Sequence, residues 1–181
     1  MPTAARDRLD AALSQVQSAV YIDPASLAAR AALGMVWYYT GNQRQAEGIF
    51  RDVLDIDGGC SQARKGLVRV LLAGKQYAKV LGLLDGWAQG STDPLDRSFL
   101  AARGIALAGM GQVQQARDIA DQLLSGSKTD GEVDAASILV ALGDSAQALT
   151  VLQQAVQQRS AMSRACCIWP VPANAIPRAA R

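Results

Sequence analysis

The sequence contains no histidine. That removes the commonest general base and the commonest metal ligand. Cysteine is scarce and poorly placed for chemistry: Cys60 stands alone, and Cys166 and Cys167 are neighbours. This arrangement gives neither a zinc spacing nor a disulfide framework, and unpaired thiols fit a reducing compartment. Charge of one sign is lacking too. Lys and Arg number 18 against 16 Asp and Glu, without a long run of either. Binding to nucleic acid or a membrane surface calls for a concentrated basic face, so neither partner is expected. No apolar stretch reaches the roughly 20 residues of a membrane span. The opening Met1-Pro2-Thr3-Ala4-Ala5-Arg6-Asp7-Arg8 places charges where a signal peptide keeps its apolar segment. A cytoplasmic protein is expected. Glycine-rich phosphate-binding motifs are missing as well, so neither a nucleotide nor a metal cofactor is expected.

What the chain has is apolar bulk in small pieces. Half of its residues are hydrophobic but only 5% are aromatic. Such small side chains suit helices packed closely on one another. The pattern recurs along the chain. Small or apolar anchors, each followed by a second small or apolar residue four places later, occur at Ala12/Val16, Ala46/Phe50, Val80/Leu84, Ala116/Ala120 and Ala148/Leu152, spaced 34, 34, 36 and 32 residues apart. Leu33, Leu67, Arg103 and Ala135 each stand 13 residues before their anchor. Gly34, Val68, Gly104 and Ala136 follow them directly, and Trp37, Leu71, Leu107 and Leu139 come three further on. Turn glycines (Gly41, Gly74, Gly111, Gly143) stand five or six residues before the last four anchors, and Asp23-Pro24, Asp57-Gly58 and Asp93-Pro94 close three units.

This spacing resembles the tetratricopeptide repeat (TPR). Residues 27–60 carry the likeness best, through Leu33-Gly34-x-x-Trp37, Ala46-x-x-x-Phe50 and Asp57-Gly58. The family's early tryptophan is replaced by Arg30, Arg64, Leu100 and Glu132, and Arg103 takes a normally apolar place. The resemblance implies an all-α fold, a right-handed α-solenoid of antiparallel helix pairs. A half-repeat helix at 4–22 would lead repeats at about 27–60, 61–96, 97–128 and 129–162, and a proline-containing tail would occupy 163–181. The predicted helices are 4–22, 26–40, 43–56, 61–73, 76–89, 95–109, 112–125, 132–142 and 145–159, with no strand.

Each recurring residue type has a physical reason. Apolar residues at i, i+3, i+4 and i+7 form one helical stripe. Small residues such as Gly34, Gly104, Ala46 and Ala116 let two backbones approach. A turn glycine can take the left-handed conformation that ends a helix. Ser61, Asp144 and either Thr129 or Asp130 are the expected N-caps. Acid pairs such as Asp55/Asp57 and Asp93/Asp96 fall at inter-repeat turns, where aspartate caps helices. Nothing resembles an active site, and no catalytic residue is assigned.

The resemblance also implies that ligands meet the exposed side of the first helix in each pair. Those positions are Ala28, Ala31, Met35, Tyr38 and Tyr39, then Gln62, Lys65, Arg69, Leu72 and Ala73. They continue as Ser98, Ala101, Ile105, Ala108 and Gly109, and as Asp130, Val133, Ser137, Val140 and Ala141. Only the first two sets carry large or charged groups, so Met35, Tyr38, Tyr39, Lys65, Arg69 and Leu72 are the candidate partner-binding residues. Tyrosine and arginine are enriched at binding hot spots. Inter-repeat packing for Met35 and Tyr38, and a solvated face for the two cations, is the structural alternative. The carboxylate clamp of chaperone-binding relatives is missing, because Ala31, Met35, Ala101 and Ala102 occupy its places.

A protein–protein interaction scaffold that holds a peptide or helical segment is therefore expected. Two other readings stay open. Residues 135–149 resemble the closing repeats of bacterial signalling proteins, which would make this the regulatory half of a transcription-regulatory or signalling protein. An assembly factor for an envelope or secretion machine is the other. The apolar side of the first helix (Leu9, Ala12, Leu13, Val16, Ala19, Val20) is either a simple cap or a surface for a homo-oligomer or a longer array.

Overall fold

The computed structural model describes residues 3–89, 96–125 and 131–157. Among these residues there are nine helices and no strand: α1 (Thr3–Ile22), α2 (Leu27–Tyr39), α3 (Gln43–Ile56), α4 (Ser61–Ala73), α5 (Tyr77–Gln89), α6 (Arg97–Gly109), α7 (Val113–Ser125), α8 (Gly131–Ala141) and α9 (Ser145–Gln157). They agree with the predicted helices to within about two residues, the normal uncertainty of a helix end. The proline-containing tail lies outside the described residues. The chain divides into two compact units, Met1–Gly74 and Lys75–Arg181. The division falls between α4 and α5, the two helices that the sequence pattern assigns to a single repeat.

In the first unit, α1 packs on α2, α2 on α3 and α3 on α4, while α2 and α4 also touch each other. Thus α2 and α4, each the first helix of its pair, lie side by side, and α3 supports both. Phe50 of α3 is completely buried and locks this arrangement. A Cβ added at Gly34 of α2 would lie 2.7 Å from the Phe50 ring, and one added at Gly66 of α4 would overlap the same ring more severely. One aromatic side chain therefore fills a slot that two glycines leave open. The repeat grid singles out Val68 as the small residue of this helix, and Val68 is indeed buried. The close approach, however, is made two residues earlier, at Gly66.

In the second unit, α5 packs on α6, α6 on α7, α7 on α8 and α8 on α9, and α6 also meets α8. A Cβ at Gly104 of α6 would collide with the Ile138 side chain of α8 and come within 3.3 Å of Ile119 of α7. At the start of the unit, the rings of Trp87 and Phe99 lie 5.6 Å apart at 59°, a favourable tilted aromatic contact. At its end, Ala136 and Leu139 pack with Ala148 and Val151.

Arg103 holds its unusual place by pairing with Asp85 of α5 at 2.9 Å. Arg30, where the family has tryptophan, sits 3.9 Å from Asp52 of α3. The Asp144 carboxylate caps α9, accepting from the backbone N–H of Gln147 at 3.3 Å. It also accepts from Arg117 at 3.3 Å.

Two expectations are corrected. Ser61 does not cap α4; it is the first helical residue, and Cys60 precedes it without a side-chain cap. The reason is the turn before it. Asp57 accepts from the backbone N–H of Gly59 at 2.9 Å, and its carbonyl accepts from Cys60 N–H at 3.0 Å, so the chain enters the helix one residue earlier. Thr129 and Asp130, the alternative caps for α8, lie outside the described residues. The second correction concerns the turn after α4. Gly41, Gly111 and Gly143 adopt φ of 88°, 78° and 84°, the left-handed conformation expected of them. Gly74 does not, with φ −79°. The left-handed residue there is Lys75, at φ 57°. It stands five residues before Val80, the same interval that Gly41, Gly111 and Gly143 keep from their anchors.

Candidate binding surface

The candidate residues fall on the paired helices α2 and α4. Met35, Tyr38 and Tyr39 occupy the C-terminal half of α2. Met35 and Tyr38 are half-buried, and Tyr39 is 52% exposed. The two tyrosine rings meet edge-on, with centroids 5.3 Å apart. Lys65 and Arg69 lie one helical turn apart on α4, both half-buried. Leu72 is buried, so it supplies packing beneath the surface and little surface of its own.

Tyr38 and Arg69 act on each other across the two helices. Burial pushes the Tyr38 phenol above the ordinary tyrosine value. The Arg69 guanidinium pulls it back down, and Tyr39 adds to the rise. The Tyr38 hydroxyl is thus a protonated donor at neutral pH, beside a cation. The structure brings Tyr38, Tyr39 and Arg69 together, with Lys65 one turn away along α4.

The remaining inner positions offer little. Ala31 and Ala101 are fully buried. Gly109 backs against the Tyr77 ring, which a Cβ would strike. Ser137 turns its hydroxyl to the Val133 carbonyl, and Asp130 lies outside the described residues. Two further cations on α2 and α4, Arg30 and Arg64, escaped the candidate set because the repeat pattern puts them on a tryptophan position. Arg64 Nε donates to the Gly58 carbonyl at 2.6 Å. The charge content of whole helices, compared between repeats, is the signal that would have found them.

On α1, Leu9, Ala12, Leu13, Val16 and Val20 are half-buried, while Asp7, Asp10, Ser14, Gln15, Gln17 and Ser18 face solvent. Its large exposed apolar groups are Tyr21 and Ile22, at the C-terminal end. Among the described residues no group of three or more Cys, Asp or Glu is placed to hold a metal ion, and no helix is long and apolar enough to cross a membrane.

No protein-family profile matches the sequence, and no curated protein matches it. Among solved structures, that of MamA AMB-1 is similar, with a TM-score of 0.53 over 92% of this chain and 91% of that one. The fold is TPR-like. Identity over the match is 17%, so the likeness is one of fold alone. Each side chain's role has to be argued from this chain's own geometry.

Proposed function

We propose that the chain is an interaction scaffold rather than an enzyme, and that the face shared by α2 and α4 holds a segment of a partner protein. A TPR-like fold supports protein binding in general. The observation that carries the particular face is the Tyr38–Tyr39–Arg69 group. It combines two aromatic rings with a cation on adjacent helices, and Met35 lies one turn before Tyr39. Aromatic rings contribute contact area at small entropic cost, and cations set orientation and the rate of association.

Affinity capture with the intact chain tests this, run beside the double variant Lys65→Glu/Arg69→Glu. The variant is expected to weaken binding of the captured partner by about 1–3 kcal/mol, the range for hydrogen bonds to charged groups. Added salt should weaken it as well, through screening over roughly 8–10 Å. If the variant binds as tightly as the parent at low and high salt, the contact lies elsewhere. The α1 surface around Leu9, Leu13 and Val16 is then the next to replace.

A further inference from the structure

Consecutive helices of the first unit pack on one another through the short connections 23–26, 40–42 and 57–60, so each runs antiparallel to the next. The C-terminal ends of α1 and α3 therefore lie at the same end of the unit. That end carries the three most exposed large apolar side chains among the described residues: Tyr21 at 87%, Ile22 at 81% and Ile56 at 63%. Ile22 and Ile56 stand one repeat interval apart, each directly before the aspartate of a turn, Asp23 and Asp57. One exposed isoleucine needs no explanation. Three large apolar groups gathered at one end and rimmed by polar residues mark an interaction surface.

The charge around these groups is negative. Asp23, Asp55 and Asp57 are all exposed. Asp23 and Asp57 accept the backbone N–H groups of Ala25 and Gly59, and none of the three forms an ion pair among the described residues. The cations that enter this end are engaged: Arg30 pairs with Asp52, and Arg64 donates to the Gly58 carbonyl. A cation in the last turn of a helix complements its terminal carbonyls. Neither α1 nor α3 has one there, and α3 has Asp55 instead. From this we infer that this end of the first unit holds a short partner segment in which Lys or Arg stands beside large aliphatic side chains. The carboxylates repel phosphate chains and anionic lipid. Helix axes pack 8–10 Å apart, and α1 and α3 both flank α2, so their ends are at most ~20 Å apart. About six extended residues, at ~3.3 Å each, span that distance. Tyr38 and Tyr39 lie at the opposite end of α2, so the inference does not depend on the scaffold reading of the α2–α4 face.

The experiment uses the full chain and labelled octapeptides, read by fluorescence anisotropy. The first peptide carries two Lys and two Leu among Gly and Ser. The second has Glu in place of Lys, and the third has Ser in place of Leu. The Lys–Leu peptide is expected to bind best. Ile22→Ser/Ile56→Ser should lose roughly tenfold or more for it, since burying one aliphatic side chain is of that order. Asp55→Lys should lose several-fold and gain affinity for the Glu peptide. Leu149→Ser removes a comparably exposed apolar group from α9 and should change nothing. Lys65→Gln/Arg69→Gln on the other face should not weaken binding. Circular dichroism of each variant must match the parent; Tyr21→Ser serves where the isoleucine pair does not fold.

Equal binding of the Lys–Leu peptide to the parent and to Ile22→Ser/Ile56→Ser overturns the inference. Equal binding of the Glu peptide to the parent does so too, as does no binding of any peptide. If only Lys65→Gln/Arg69→Gln weakens the peptide, the α2–α4 face is its site and the inference is wrong. Sedimentation velocity on the same proteins checks a second copy as the occupant. A parent dimer that dissociates in the isoleucine variant assigns this end to self-association and overturns the inference. Phosphatidylcholine vesicles that bind the parent but not that variant assign it to a lipid surface, with the same consequence.

Discussion

The two units solve the same packing problem with different parts. In the first, one rigid ring, Phe50, fills the gap left by Gly34 and Gly66. In the second, Gly104 receives flexible branched side chains, Ile138 and Ile119, and an additional aromatic pair, Trp87 with Phe99, ties α5 to α6. The close approach at the glycines is therefore filled by a single side chain in the first unit and by two in the second, while Val53, Val68, Val70 and Leu71 are fully buried around Phe50 in the first. The same contrast holds for charge. In the first unit α2 and α4 carry only cations, of which Arg30 pairs with Asp52 of α3, whereas α6 and α8 together carry both signs, with Arg97 meeting Asp134 and Arg103 meeting Asp85 of α5.

The largest expected effect comes from emptying the slot between Gly34 and Gly66. Phe50→Ala should cost about 3–5 kcal/mol, the range for large-to-small aromatic replacements. Ile138→Val in the second unit should cost only about 0.5–1.5 kcal/mol. Denaturant unfolding measures both. Hydrogen exchange tells where the loss falls: amides of α2–α4 should lose protection in Phe50→Ala before those of α6–α8. Equal loss in both units would break the comparison.

Gly66→Ala should come next, at about 1–3 kcal/mol, as for overpacking in a tight core. The ring has no retreat, since moving away from Gly66 drives it into Gly34. The gain of up to about 1 kcal/mol in helix propensity does not offset this. Combining it with Phe50→Leu should recover part of the loss, a non-additivity expected of touching residues. Gly104→Ala should cost less than Gly66→Ala, because the obstacle there is the end of an isoleucine that can turn. The reverse order of these two would contradict the contrast between a rigid and an adaptable core.

At the junction after α4, Lys75→Gly should raise stability by about 1 kcal/mol. It removes the steric cost of a left-handed non-glycine residue, a cost of roughly 1–2 kcal/mol, less the added freedom of glycine in the unfolded chain. A shift of the thermal midpoint upward by a few degrees would show it. Gly41→Ala, at the corresponding turn of the first pair, should shift it downward.

The smallest effect concerns Tyr38. Its folded-state value is raised, so the contribution of this group to stability is fully present below the unfolded value near pH 10 and falls as pH rises through the higher folded value. Tyrosinate absorbance should show a late-titrating phenol that disappears in Tyr38→Phe. Replacing Arg69 with Gln should move that titration higher still, because the guanidinium lowers it. An unchanged titration in Arg69→Gln would mean that the two groups do not interact.

The sequence by itself determined the nine helices among the described residues, their approximate ends and the pairing of α2 with α3, α6 with α7 and α8 with α9, because helical periodicity and turn residues act over a few neighbours and repeat at a fixed interval. It also placed the tyrosines and the two cations on one kind of helix face, since Tyr38, Tyr39, Lys65 and Arg69 follow from the same grid. What tertiary structure alone decided is how that grid is filled between helices. The slot for Phe50 depends on Gly66, a position that the repeat does not mark. Lys75 rather than Gly74 took the left-handed turn because the backbone places that conformation five residues before the anchor. Leu72 went inward, and Arg103 stayed in an apolar place because Asp85 of the neighbouring helix meets it. Each of these depends on the distance between atoms far apart in the chain, which a local pattern does not contain.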